Sequence, residues 1–342
     1  MQKWKKTFLM SWIGNLSPSK NIMTKALFTC GNIPMKCIDR RNALRKLGAL
    51  STTFVMTKTL ASKVPSENLI RFGLIADLHG GLASDAEMRL GAFLNAMKPM
   101  ECDALIQLGD FAYPNSAHKQ FANKFHAAHQ ETIHVIGNHE FDHGLDRKDI
   151  YDAWGIESSY YRRDVAGISI LVLDGNESGS PTHRGGYPSY IGPDQQAWLE
   201  EQLKESTKPI LILSHQPLAG RSSINNANEI QQLIGRHRSK VIACLNGHSH
   251  LDAMRQVNQV PYLHINSASY YWVGGKTRMA YYTDPLFTTL TIDPKMSTVR
   301  VEASHSSWKD ESPSEMGYFQ TPNRPEPSTV VPRISERQIT LQ

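Results

Sequence analysis

The chain has 342 residues, 40% of them hydrophobic and 20% charged, enough for a buried core in one large domain or two small ones. Its net charge of +5 sits in the first 61 residues, which carry eleven Lys/Arg against Asp39 alone and leave the remainder at −5. A net-acidic body excludes a nucleic-acid reading drawn from overall charge, and the two body cysteines, Cys102 and Cys244, form no CxxC pair, which excludes a disulfide framework or a cysteine zinc site.

Residues 1–61 read as a leader. Arg40-Arg41 precede Leu44 and Arg45-Lys46, followed by the modestly apolar LGALSTTFVMTKTLAS and a small-residue end at Thr59-Leu60-Ala61. The pattern resembles a bacterial twin-arginine export signal, which implies the twin-arginine export machinery as a partner. It also implies removal near Ala61 and a periplasmic or extracellular destination. The apolar part is too short and polar for a stable membrane span, which needs roughly 20 residues. A start at Met35 would give a leader of ordinary proportions.

From Leu69, strand-like and helix-like segments alternate. Apolar runs at 69–77, 103–110, 131–138, 168–174, 209–215, 240–248, 262–269 and 286–292 predict strands. Segments 84–98, 115–129, 193–206 and 226–237 predict helices. The third opens on Pro193 and Asp194 and buries Trp198, Leu199 and Leu203. This order argues for an α/β sheet covered by helices on both faces, in a domain spanning 62–304. From His305 the chain turns rich in Pro and Ser, which predicts a C-terminal tail, 305–342, that wraps the domain or stays loose. No repeat is visible, and Cys244 in VIACLNG reads as a small core residue.

Chemistry concentrates at the strand ends. The first strand closes on Asp77-Leu78-His79, the second on Gly109-Asp110 and the third on Gly137-Asn138-His139-Glu140. PILILSH closes on His215, and KVIACLNG runs into His248-Ser249-His250. In a parallel sheet such ends converge on one ligand-binding edge. The glycines before Asp110, Asn138 and His248 let the backbone approach closely. All fourteen histidines lie beyond residue 78. Carboxylate, imidazole and amide oxygen suit Mn, Fe or Zn, and no thiolate is on offer. One shared carboxylate can bridge two ions roughly 3.5–4 Å apart.

The series D-x-H, G-D, G-N-H-E, H and G-H-x-H, in this order between Leu69 and Ser269, resembles the calcineurin-like metallophosphoesterase family. The resemblance implies that family's four-layer α/β/β/α sandwich of two mixed sheets flanked by helices. It implies Asp77, His79 and His250 on a first metal, Asn138, His215 and His248 on a second, and Asp110 between them. The metals would be two divalent or mixed-valence ions. His139 would stay off the metals, beside the phosphate, as the catalytic residue. The implied reaction is hydrolysis of a small-molecule phosphate ester by a bridging hydroxide, with His139 assisting the leaving oxygen.

Asp110-Phe111-Ala112-Tyr113 also matches the G-D-x-x-Y motif of purple acid phosphatases, whose Tyr binds iron. Because His79 fills that coordination position here, Tyr113 is expected to support or pack. Gln196-Ala197-Trp198-Leu199 is similar to relatives acting on small phosphodiesters, which tilts the reading towards a phosphodiesterase. A phosphomonoesterase and a non-catalytic interaction platform are the alternatives. His134 reads as a core residue, and His126 and His129 as solvent-facing. Asp142-His143 reads as a loop or cleft lining, and His183-Arg184 as a polar loop or a phosphate contact. Tyr270, Tyr271 and Trp272 read as packing or as a stacking wall.

Overall fold

The computed structural model describes residues 69–275 and 278–341; the export-signal reading of 1–61 lies outside them. The first half runs β1 (Ile70–Ile75), α1 (Ala86–Met97), β2 (Ala104–Gln107), α2 (Lys119–Ala128), β3 (Thr132–His134), α3 (Arg147–Trp154), β4 (Tyr161–Val165) and β5 (Ile168–Leu173). The second half runs α4 (Pro193–Glu205), β6 (Ile210–Ser214), α5 (Ala227–Gly235), β7 (Val241–Asn246), β8 (Ala253–Val257), β9 (Val260–His264), β10 (Tyr270–Gly274) and β11 (Arg278–Tyr281). It ends with β12 (Thr288–Asp293), β13 (Thr298–Val301), β14 (Ser304–His305), β15 (Arg333–Ile334) and β16 (Arg337–Thr340).

Two six-stranded sheets form, in the orders β16-β13-β12-β1-β2-β3 and β4-β5-β6-β7-β9-β8. Both are mixed: β1, β2 and β3 are parallel while β12 runs against β1, and β5, β6, β7 and β9 are parallel between antiparallel edges. Side-chain alternation assigns the layers. Along β5, Ile168, Ile170 and Val172 enter the core between the sheets, whereas Leu171 and Leu173 join Leu199 and Leu203 of α4 and Ile230 and Ile234 of α5. Along β1, Phe72 and Leu74 face inward, and Ile75 packs with Leu90 and Phe93 of α1 and Phe125 of α2. Helix, sheet, sheet and helix therefore stack as the four layers that the motifs implied. Each fully buried Leu or Ile contributes about 2 kcal/mol of transfer free energy. Burial on both faces explains why these strands read as continuous apolar runs.

The residues beyond His305 build onto this body. β16 pairs with β13 at the edge of the first sheet, and β15 pairs with β14. The Asn266 amide donates to the carbonyls of Val331 and Arg333 and ties the segment down. α1 carries a fully buried guanidinium: Arg89 pairs with Asp85 and donates to the carbonyls of Ala268 and Tyr282. That clasp fixes the approach to β10. No helix among the described residues is long and apolar enough to cross a membrane.

Candidate metal centre

The strand ends that carry the motifs meet at one edge. Parallel pairing of β1, β2 and β3 places Asp77, Asp110 and Asn138 just past neighbouring C-termini, and β6 and β7 deliver His215 and the His248–His250 turn. The backbone there is unusual. Asp77 (φ 51°), His79 (φ 56°), Asp110 (φ 50°), His248 (φ 61°) and His250 (φ 49°) all adopt the left-handed region. Non-glycine residues rarely do so, and each instance costs of order 1 kcal/mol that the surrounding core must offset. Two glycines serve as floor. A Cβ on Gly137 would lie 2.2 Å from the Asp110 Oδ1, and one on Gly247 would lie 2.5 Å from the Asp77 Oδ2. The close backbone approach expected of these glycines is present.

Ligand-capable atoms gather in three overlapping groups: Asp77 with His79 and His250, His79 with Asp110 and His139, and Asp110 with His215 and His248. Asp110 belongs to two of them. Its Oδ2 lies 3.1 Å from His215 Nε2 and 4.0 Å from His79 Nε2, while its Oδ1 accepts from the His139 backbone N–H at 2.8 Å. His250 Nε2 lies 3.1 Å from the Asp77 Oδ1 and 3.2 Å from His79 Nε2.

The tautomers explain what this arrangement suits. His215 Nδ1–H donates to the Leu108 carbonyl at 2.8 Å, and His250 Nδ1–H donates to the Tyr270 carbonyl at 2.7 Å. Each ring then turns its other nitrogen, Nε2, towards a carboxylate oxygen, where without a proton two lone pairs would meet. Two acceptors facing one another need a proton or a cation between them. His215 Nε2 makes no aligned hydrogen bond despite its 3.1 Å approach to Asp110, and Asn138 Oδ1 is likewise buried without a partner. Unsatisfied buried acceptors are rare, and a cluster of them around carboxylates fits metal ions. The field agrees. Burial lowers the His215 pKa, but Asp110 outweighs it and raises the value to about 9. Burial raises the Asp110 pKa, yet His215 and His139 carry it well below the ordinary carboxylate range. Burial, with His215 nearby, pushes His248 down to about 3, so that its ring stays neutral and able to ligate.

The supporting shell is continuous. Glu140 accepts from the backbone N–H groups of Phe111 at 2.6 Å, Gly137 at 2.8 Å and Asp110 at 3.1 Å, and so welds the second and third loops together. Burial and the adjacent Asp110 raise the Glu140 pKa to about 8, although three amide donors favour its carboxylate. Tyr270 stacks on His79 at 4.8 Å, and Ser249 donates to His264 Nδ1 at 2.7 Å.

Six of the seven expected ligands lie in these groups, Asn138 is buried beside them in sequence with its Oδ1 unpartnered, and His139 lies at the rim with about 30% of its side chain exposed. Its Nδ1–H donates to the Asp142 Oδ2 at 2.7 Å, which leaves Nε2 as the free ring nitrogen. Burial lowers the His139 pKa, but Asp110 and Asp142 together raise it. Tyr113 packs edge-on against His143 and His118, in keeping with a supporting role. Tyr270 and Tyr271 are buried in packing and Trp272 is exposed, so no three-residue wall forms. His126 and His129 are corrected to part-buried: His126 bonds His134, and His129 donates from Nε2 to the Cys102 carbonyl and accepts at Nδ1 from the Glu131 N–H. The segment Gln196–Leu199 is packing, with Leu199 fully buried and Trp198 packed against the same core, next to Gln195. Gln195 is fully buried and bonds both backbone groups of Asp174. Sequence reasoning left the role of Asp142 open and missed Tyr187. A carboxylate three residues after the histidine, on a turn, was the only signal for the first.

Comparison with known proteins agrees with this geometry. Residues 70–252, more than half of the chain, match the model of the calcineurin-like phosphoesterase family. A curated protein from Xenorhabdus bovienii, described as a "probable cyclic nucleotide phosphodiesterase", is 24% identical over 211 residues, 58% of this chain and 81% of its own. A dimetal phosphatase from Danio rerio shares the fold at TM-score 0.50 and 14% identity, over 68% of this chain and 95% of that one. GAP50, described as the anchor in the inner membrane complex of Plasmodium, does so at TM-score 0.53 and 12% identity, over 74% and 93%. With its family motifs at the strand ends and a donor set suited to metal ions, the chain belongs to the calcineurin-like phosphoesterases, metal-dependent hydrolases of phosphoric esters.

Proposed function

We propose that the protein hydrolyses small phosphodiesters at a dinuclear centre. Asp77, His79 and His250 would hold one ion, and Asn138, His215 and His248 the other, with Asp110 shared. The observation that carries this reading is the place of Asp110, which groups with His215 and His248 on one side and, on the other, with His79, itself a member of the group with Asp77 and His250. The preference for diesters is supported by the relative described as a cyclic nucleotide phosphodiesterase.

Bound cations would neutralise phosphate charge and acidify a water molecule. The protein's own groups do the rest. Asp110 and Asp77 set the negative field that retains the cations. Asn138 Oδ1 contributes a neutral donor, which limits the net negative charge facing an anionic substrate. The His139 ring, held through Nδ1 by Asp142, presents Nε2 to the departing oxygen and delivers a proton there. The His79, Tyr270 and His250 rings pack behind the pocket and exclude water from that side.

Metal-replete protein should cleave bis-p-nitrophenyl phosphate, with kcat/KM about tenfold or more above that for p-nitrophenyl phosphate. The reverse ratio would make the enzyme a phosphomonoesterase. No hydrolysis of either ester by metal-replete protein would remove the catalytic reading altogether.

A further inference from the structure

We propose that Tyr187 is a positioning residue for catalysis: its hydroxyl clamps Asp142 and thereby holds His139 in its working orientation. The proposal rests on the reading of His139 as the proton donor. Tyr187 lies on the long connection between β5 and α4, 48 residues after His139. The base of that connection is fixed. Gly175 and Glu177 pair with Tyr190, and the Gly192 N–H donates to Glu177. The tip is exposed, and Tyr187 itself is 44% exposed, with little burial to order its ring.

A directed contact orders it instead. The Tyr187 hydroxyl donates to the Asp142 Oδ1 at 2.5 Å, and its ring stands edge-on to the His139 ring at 5.4 Å. The other oxygen of the same carboxylate accepts from His139 Nδ1–H at 2.7 Å. One carboxylate is thus held at both ends. Asp142 needs the second hold, because it sits where the 3₁₀ segment His139–Gly144 breaks, with ψ 157° at Asp142 and φ 61° at His143. A carboxylate on a broken turn, with 22% of its side chain exposed, can rotate and trade the histidine for water. A phenol on its second oxygen fixes the carboxylate plane, and hydrogen bonds to a charged acceptor are the strong ones. The exposed tip of a surface loop and the catalytic histidine become one mechanical unit. Any substrate group that displaces the loop also loosens the histidine.

Y187F removes the hydroxyl and keeps the ring at an exposed position, so the fold should survive; its thermal transition serves as control. The readout is kcat and KM for p-nitrophenyl and unsubstituted phenyl esters of the class the enzyme cleaves. The nitrophenolate leaves without a proton and the phenolate benefits from one. Y187F is expected to lower kcat for the phenyl ester about tenfold, to change the nitrophenyl value by less than about twofold, and to leave both KM values within about twofold. In a D142N background the same substitution should add nothing. Equal losses on both esters, a change confined to KM, or no change would overturn the proposal. H139A is the reference. If H139A fails to discriminate between the two esters, the proton-donor reading falls and takes the proposal with it; if H139A discriminates and Y187F does not, only the proposal falls.

Discussion

Two buried aspartates, Asp110 and Asp252, are closed off from water to a similar degree, at 3% and 6% exposure, yet they do opposite work. Asp252 is surrounded by donors. It accepts from Arg333 Nε at 3.2 Å, Arg337 Nη2 at 2.6 Å, the Ser335 hydroxyl at 2.6 Å and the Ser335 N–H at 3.1 Å. Asp110 has one backbone donor on Oδ1, and its other oxygen faces the Nε2 atoms of His215 and His79. The first charge is satisfied by the protein and pins the C-terminal segment to the body. The second is left short of positive charge, and that shortfall makes a cation site. Burial alone does not separate a structural carboxylate from a functional one; the count of donors around it does.

Breaking the closed site should cost stability. Asp252→Ala leaves Arg337 and Arg333 facing an empty acceptor position and frees β15 and β16. The expected loss is about 3 kcal/mol in chemical denaturation, the range for removing one partner of a buried pair. A loss below about 1 kcal/mol would show that the tail is held by β16 pairing alone. The smaller effect concerns a third buried polar group, His134, which is satisfied without charge. Gln107 donates to its Nδ1 at 3.2 Å, and its Nε2–H donates to His126 at 2.8 Å. Burial, with His126 beside it, lowers the His134 pKa to about 3. The unfolded chain binds this proton near pH 6.5, so between pH 6.5 and 3 the unfolded state holds more protons and stability falls with acidification. The group accounts for up to about 1.4 kcal/mol per pH unit in that window. His134→Gln should flatten the slope of denaturation free energy against pH there; an unchanged slope would mean that His134 titrates normally.

The same contrast explains what the sequence discloses. Every expected ligand stood at the end of an apolar run, because strands buried on both faces announce their ends by the first polar residue. The helices at 193–205 and 227–235 were legible from periodicity and from Pro193. β4 and β8 were not, since YRRDV and AMRQV are edge strands with too few apolar positions to alternate. α3 was overlooked although Asp146 and Asp149 form a capping box before it, a signal present in the chain. Asp252 carried no local signal, because its partners lie more than eighty residues away in a stretch whose prolines suggested looseness. Nor does any pattern of residue types reveal that Asp77, His79, Asp110, His248 and His250 are all left-handed. These residues sit just past the ends of β1, β2 and β7, which lie far apart in the chain and meet only in the assembled sheets.

Metal content tests the account most directly. Elemental analysis of reconstituted protein after removal of loosely bound ions should give about two ions per chain, and Asp110→Asn should retain at most about one while losing activity by roughly a hundredfold or more. A wild-type protein that is active with a single ion, or an Asp110→Asn protein that keeps two ions and full activity, would contradict a shared carboxylate at the centre of the site.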